Sequence, residues 1–140
     1  MGFSVYLQCF RDGEPAGLPR DVVAAQFPIE NTSSTDLWQI KYDDENWCDI
    51  YVSPDWSNWA MIHGLTVDRP CGDLRLWYAL YRVMCLGPVV FYFPGSNPLR
   101  VAHEATIAQL PADLLEAIGP PRLISSGQEL RQAVEDDDCP

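Results

Sequence analysis

Histidine and basic side chains are scarce in this chain of 140 residues, which holds two histidines and nine lysines and arginines. The chain also lacks a glycine-rich phosphate loop, a Gly-x-Ser-x-Gly segment and a His-Glu-x-x-His segment. Each of these motifs signals a chemistry because it holds the required groups at a fixed spacing. Without them, the sequence predicts a protein that is not an enzyme and that binds no cofactor.

Long hydrophobic runs are also missing. The longest nearly uncharged stretch, residues 83–98, is interrupted by three prolines and two glycines, whereas a membrane-spanning helix needs about 20 consecutive apolar residues. The start of the chain has neither the basic region nor the long apolar segment of a secretory signal. The sequence therefore predicts no membrane association and a cytoplasmic location.

Acidic residues are abundant by comparison. Twenty aspartates and glutamates give a formal net charge of −11. Nucleic acid is an unsuitable partner, because affinity for phosphate backbones comes mainly from lysine and arginine. A basic protein partner is the complementary expectation, and a purely solubilising role of the charge stays open as an alternative. The oligomeric state cannot be deduced from these numbers.

The five cysteines form no Cys-x-x-Cys pair and do not cluster with a histidine. This disfavours both a disulfide framework and a zinc site. Cys9, Cys48 and Cys85 lie in apolar segments, where a reduced cysteine behaves as a small hydrophobic residue. Cys139 is expected to be a frayed terminal residue, and no metal site is predicted.

The pattern of apolar residues predicts one α+β domain. Its 47 % hydrophobic and 21 % charged residues suit a chain that folds around a single core. Residues 1–140 are therefore predicted to form a single globular domain, with residues 135–140 as a mobile acidic tail. Its sheet is expected to be antiparallel or mixed, with about five to seven strands, one main helix packed on a face and short flanking helices.

Individual elements follow from periodicity. Alternation in residues 3–10 predicts a strand, and two alternating runs around residues 43–46 predict a hairpin. Apolar residues at spacings of three and four predict the main helix, with Asp73 as its N-cap. Residues 29–36 are polar and are expected to form a loop. Further strands are predicted near residues 61–67, 89–93, 99–103 and 121–125, and shorter helices near 19–27, 111–118 and 126–134.

One enzymatic alternative involves Cys71 and His63. Cys71 precedes a predicted helix N-terminus, where a thiolate is favoured, and His63 could serve as its base. A cysteine in a Pro-Cys-Gly turn is more often structural. The small cysteine-dependent enzyme is therefore an alternative that requires contact between these two side chains.

Acidic and aromatic residues are concentrated in residues 36–59. A calcium or magnesium loop can be considered, but the carboxylates do not have the spacing of the twelve-residue calcium loop, and a solvated acidic ridge is the better interpretation. Exposed aromatic rings beside acids are typical of protein-binding surfaces, although about half of these rings are expected to be buried. The predicted partner-binding residues are Asp43, Asp44, Glu45, Asp49, Trp47, Asp55 and Trp56.

The segments 65–77 (LTVDRPCGDLRLW) and 89–95 (VVFYFPG), with the opening 4–8 (SVYLQ), carry a family resemblance. The chain resembles small proteobacterial immunity proteins associated with polymorphic or contact-dependent toxins. The resemblance implies that it binds and neutralises a cognate basic toxin domain, and it assigns no binding residue. A protein-interaction adaptor and a regulatory domain without a fixed partner remain alternatives.

Overall fold

A central strand organises the fold in the computed structural model, which describes residues 3–34, 36–95 and 98–138. In β1 (Ser4–Arg11), Val5, Leu7 and Cys9 are buried on one face. β1 pairs antiparallel with β7 (Met61–Asp68) on one side and with β8 (Val89–Tyr92) on the other. The predicted alternation of β1 is confirmed, because a strand with one face on a core must alternate apolar and polar residues.

In the described part of the chain, the sheet contains ten strands in the order β10-β9-β8-β1-β7-β6-β5-β4, with β2 paired to β1 and β3 paired to β7. It is mixed, since β9 and β10 run parallel. The prediction of five to seven strands was too low, because short pairings formed by distant residues leave no periodic pattern in the sequence. The remaining strands are β2 (Glu14–Pro15), β3 (Leu18–Pro19), β4 (Ile29–Ser34), β5 (Leu37–Lys41), β6 (Trp47–Pro54), β9 (Arg100–Val101) and β10 (Arg122–Leu123).

The segment predicted as a polar loop, residues 29–36, is mostly a strand. β4 pairs with β5 at the end of the sheet, with register shifts after Ile29 and after Asn31. Backbone hydrogen bonds form the pairing whatever the side chains are, and an edge strand needs no apolar alternation on both faces. The polar sequence of this segment therefore did not indicate that it forms an edge strand.

Among the residues that the structure describes, four α-helices complete the domain, and the main one is confirmed. In α2 (Leu74–Met84), Leu76, Trp77 and Leu80 are buried, and the Asp73 carboxylate accepts a hydrogen bond from the Arg75 backbone N–H. The other helices are α1 (Arg20–Ala24), α3 (Ala112–Ile118) and α4 (Gly127–Asp138), and a 3₁₀ helix spans Glu104–Gln109.

The last helix continues further than predicted. Residues 135–140 were expected to form a mobile tail, whereas α4 continues through Asp138. The helix is capped at its start, since the Ser126 hydroxyl accepts a hydrogen bond from the Glu129 N–H. Residues 139 and 140, with the terminal Cys139, lie outside the described residues. In the described ranges, no helix is long and apolar enough to cross a membrane.

Two hydrophobic clusters lie on opposite faces of the sheet. The larger cluster lies between the sheet and the helices α2 and α4. The smaller cluster, which contains Val90, Leu99, Val101 and Leu110, packs with side chains of α3 and the 3₁₀ helix. The side chains that β5, β6 and β7 place on this second face belong to neither cluster, and the same holds for Ser4 and Tyr6 of β1. This area is called the open face below.

Candidate partner-binding face

A row of aromatic side chains crosses the open face. Strand register aligns Leu37 of β5, Tyr51 of β6, Thr66 of β7, Tyr6 of β1 and Tyr92 of β8 as consecutive neighbours. Paired residues on neighbouring antiparallel strands point to the same side of a sheet. The rings of Tyr6 and Tyr92 stack with their centroids 5.0 Å apart, and Tyr51 is exposed. Tyr51 is therefore the exposed ring of this row, whereas Tyr6 and Tyr92 are half-buried and Tyr92 packs against the smaller cluster.

A row of carboxylates runs beside the tyrosines. Asp49 of β6 pairs directly with Asp68 of β7, and Gln39 and Ser4 occupy the next positions on either side. The Ser4 hydroxyl is 3.4 Å from the Asp68 carboxylate. Among the described residues, neither aspartate forms an ion pair. Two like charges on opposed positions repel each other, so this row costs the free protein stability.

A groove of about 460 Å³ lies at the β4 side of the open face. Its polar lining combines the carboxylates of Glu30, Asp44 and Asp49 with the ammonium of Lys41, which is 3.2 Å from Asp44. The Trp47 side chain, 61 % exposed, forms part of its wall. The groove thus places an indole ring beside an excess of negative charge, which is the environment that a guanidinium or ammonium group prefers.

The acidic hairpin loop is more structured than an exposed ridge. Asp43 accepts hydrogen bonds from the backbone N–H groups of Glu45 and Asn46, at 3.0 and 2.9 Å, and is 2.9 Å from the Arg75 guanidinium. Its pKa is lowered, first by the Glu45 N–H and then by the Asn46 side chain. Asp43 therefore holds the loop together, and Asp43, Asp44 and Glu45 are all exposed. No group of three possible metal ligands occurs in the described ranges.

The remaining predicted residues form a separate patch. Asp55 accepts hydrogen bonds from the Ser57 N–H and hydroxyl, and it lies 3.3 Å from Nε2 of His63. The pKa of Asp55 is lowered, mainly by the Ser57 hydroxyl. Trp56, 83 % exposed, lies beside Trp59 with ring centroids 5.9 Å apart. Because β6 separates them, Trp47 and this patch are roughly 23 Å apart along the strand.

Burial of the aromatic rings differs from expectation. Of the six rings in residues 38–59, Trp38 is buried and Tyr42 is half-buried, whereas four are exposed. More than the expected half therefore face solvent. The alternation of β6 indicated that Trp47 and Tyr51 are exposed, because Trp47, Asp49 and Tyr51 occupy the positions between the buried Cys48, Ile50 and Val52. The exposed rings are those of Trp47, Tyr51, Trp56 and Trp59.

The contact between Cys71 and His63 that the enzymatic alternative requires is not formed. His63 lies near the start of β7 and Cys71 follows its end, and the five steps from His63 to Asp68 alone span roughly 16 Å. The His63 side chain contacts Asp55 instead. The extended strand between the two residues keeps them apart.

Two residues of the open face were missed by sequence reasoning, because only strand order makes them neighbours of Asp49 and Tyr51. These are Asp68 and Tyr6. Comparison with models of protein families, with curated proteins and with solved structures finds no match for this chain.

Proposed function

We propose that this chain is a non-catalytic acidic binding protein, namely a bacterial immunity protein that neutralises a basic toxin domain in the cytoplasm. The observation that carries the proposal is the opposed pair of Asp49 and Asp68 beside the tyrosine row. A repelling pair that no cation of the described chain neutralises is best explained by a cation that arrives with a partner. The net charge of −11 favours the same kind of partner.

The tyrosine row supplies the apolar part of such a contact. Tyrosine buries a large ring at a low cost in side-chain entropy, and its hydroxyl can still find a hydrogen-bond partner, so tyrosines are frequent anchors of protein interfaces. Tyr51 and Tyr6 lie in one row of the sheet, with Thr66 of β7 between them. A partner can therefore dock on them without ordering a loop, which reduces the entropic cost of binding.

The groove beside Trp47 supports a specific contact within this interface. An arginine or lysine of the toxin domain would stack on the indole and lie near the carboxylates of Asp49 and Glu30. Lys41 forms its ion pair with Asp44, and three carboxylates against this one ammonium leave the groove with an excess of negative charge for the incoming cation. This arrangement would neutralise the acidic row at the moment of binding.

The test starts from the gene immediately upstream: if it encodes a toxin, its C-terminal domain is co-expressed with this chain. We expect the wild-type chain to restore colony formation and the D49N/D68N variant to lose most of this protection. The D113N/E116Q variant removes the same charge from two exposed residues of α3 and should protect like the wild type. Equal protection by all three forms would show that the acidic row is not part of the interface.

Two further outcomes separate the alternatives. An adaptor would bind through the open face without restoring growth, so binding with no protection would favour it over an immunity protein. A neighbouring gene that encodes no toxin, together with failure to protect, would contradict the immunity proposal.

A further inference from the structure

A cavity of about 220 Å³ lies between α3 and the face of the sheet that carries the smaller cluster. Phe10 of β1 and Tyr92 of β8 line it from the sheet, and Leu114 and Ile118 line it from α3. Leu99, which directly precedes β9, completes the described lining and is buried. The other four side chains are half-buried. A small molecule can therefore enter the cavity from solvent without unfolding the protein.

The cavity exists because α3 does not close onto the sheet. Leu114, Leu115 and Ile118 lie on one side of this helix and pack against the smaller cluster. A helix normally buries such an apolar stripe against the neighbouring layer. In α3, by contrast, none of the seven residues is buried. The space left under the helix is the cavity.

Hydrogen bonds at both ends hold α3 in this position. Before the helix, the Gln109 carbonyl accepts from the Gly13 N–H at 2.9 Å, and the Gln109 side-chain oxygen accepts from the Asp12 N–H at 2.8 Å. After the helix, the Arg122 N–H donates to the Leu99 carbonyl at 2.7 Å. The helix thus spans two points that are bonded to the rest of the domain, and its apolar side chains do not settle into the gap.

We propose that this cavity is a binding site for a small uncharged hydrocarbon molecule of about the size of one six-membered ring. The volume of 220 Å³ supports this size, because an apolar cavity of roughly 150 Å³ is enough to hold benzene. The inference goes beyond the proposed function and does not depend on it.

The chemistry of the lining supports an apolar ligand. Within the described lining, the Tyr92 hydroxyl is the one polar side-chain group, and no side chain is charged. Burial, followed by the neighbouring Tyr6, raises the pKa of Tyr92, so this hydroxyl is neutral at pH 7. An ordered water needs about two to four polar partners, which this lining does not offer. A hydrocarbon would displace weakly held water and remove the half-buried apolar side chains from solvent.

The same lining excludes a charged ligand of equal size. Benzoate has the ring of benzene, but its carboxylate would lose water without meeting a cation of the described lining, and burying an unpaired charge is costly. Benzene and benzoate therefore form a matched pair of probes that differ in charge and share the ring.

The experiment titrates the full chain with benzene and follows its methyl groups by NMR spectroscopy. We expect the signals of Leu99, Leu114 and Ile118 to shift and to saturate, while those of Leu76 and Val83 in the larger cluster stay in place. Benzoate should leave all of these signals unchanged. The proposal is overturned by an absence of shifts, by shifts that do not saturate or occur equally in both clusters, or by equal binding of benzoate.

Two variants locate the site. I118F places a ring in the cavity and should weaken benzene binding about tenfold or more, measured on the methyl signals of Leu99 and Leu114. L115F introduces the same ring on the same helix at a residue that packs on the smaller cluster but does not line the cavity, and it should bind like the wild type. Circular dichroism checks that both variants fold, and the titration of the wild type does not depend on them. Undiminished binding by a folded I118F would place the benzene elsewhere and contradict the proposal.

Discussion

Asp49 and Asp68 occupy directly opposed positions on β6 and β7, with Ser4 of β1 next in the same row. A pairing of like charges is unusual between neighbouring strands, because each carboxylate raises the energy of the other. We expect D49N and D68N each to stabilise the free protein by roughly 0.2–1 kcal/mol. Urea denaturation measures the change in the free energy of unfolding. D113N on α3, which removes the same single negative charge elsewhere, is the control.

Salt dependence distinguishes this explanation from a simple effect of net charge. The stabilisation by D49N should shrink at high ionic strength, since salt screens exposed charges. Destabilisation by both D49N and D68N would show that the two carboxylates support the fold, and the argument for an incoming cation would lose its basis.

The two aromatic patches make different predictions for binding. W47A and Y51A remove rings from the open face, and each should weaken binding of the toxin domain about tenfold or more, because exposed aromatic anchors carry much of an interface's affinity. W56A removes an exposed ring from the separate patch beyond the end of β6 and is the matched control. Titration calorimetry gives the three dissociation constants. If W56A loses affinity while W47A and Y51A do not, the interface lies at the Trp56 patch instead.

The N-cap of α2 predicts a specific dependence on pH. The Arg75 side chain, followed by its backbone N–H, lowers the pKa of Asp73 to about 2. A carboxyl whose pKa is depressed on folding contributes stability above its unfolded pKa of about 4, and this contribution disappears as the pH falls toward 2. D73A should cost about 1 kcal/mol at neutral pH, the usual cost of losing a cap.

The measurement is the free energy of unfolding at pH 7 and near pH 2.5. The difference between wild type and D73A should be largest at pH 7 and should decrease at low pH. D73S retains a capping oxygen and should recover part of the lost stability. A difference that is independent of pH would mean that the charge of Asp73 contributes nothing to the helix.

Close packing explains a glycine in the middle of β7. A Cβ at Gly64 would collide with the Leu7 carbonyl oxygen of β1, which is backbone and cannot rotate away. G64A should therefore destabilise the protein by about 1–3 kcal/mol, the usual cost of overpacking. Gly72 has open space around it, and G72A is the control. Chemical denaturation that finds equal stabilities for the two variants would contradict the close approach of the strands.

Local patterns determined much of the fold from the sequence alone. The alternation in β1 and in β5 and β6, the apolar spacing of α2 and its Asp73 cap all depend on residues close together in the chain. The hairpin loop followed the prediction for the same reason, since Asp43 bonds N–H groups within three residues of it. Interactions over such short separations can be recognised without knowing the rest of the structure.

The tertiary structure determined which residues of distant segments become neighbours. The order of strands makes Asp49 the neighbour of Asp68 and aligns Tyr51 with Tyr6 through Thr66. No spacing in the sequence encodes these contacts, because they depend on which strands pair and in which register. The acidic charge was evident from composition, but Asp49 and Asp68 become opposed only once β6 and β7 are paired in this register.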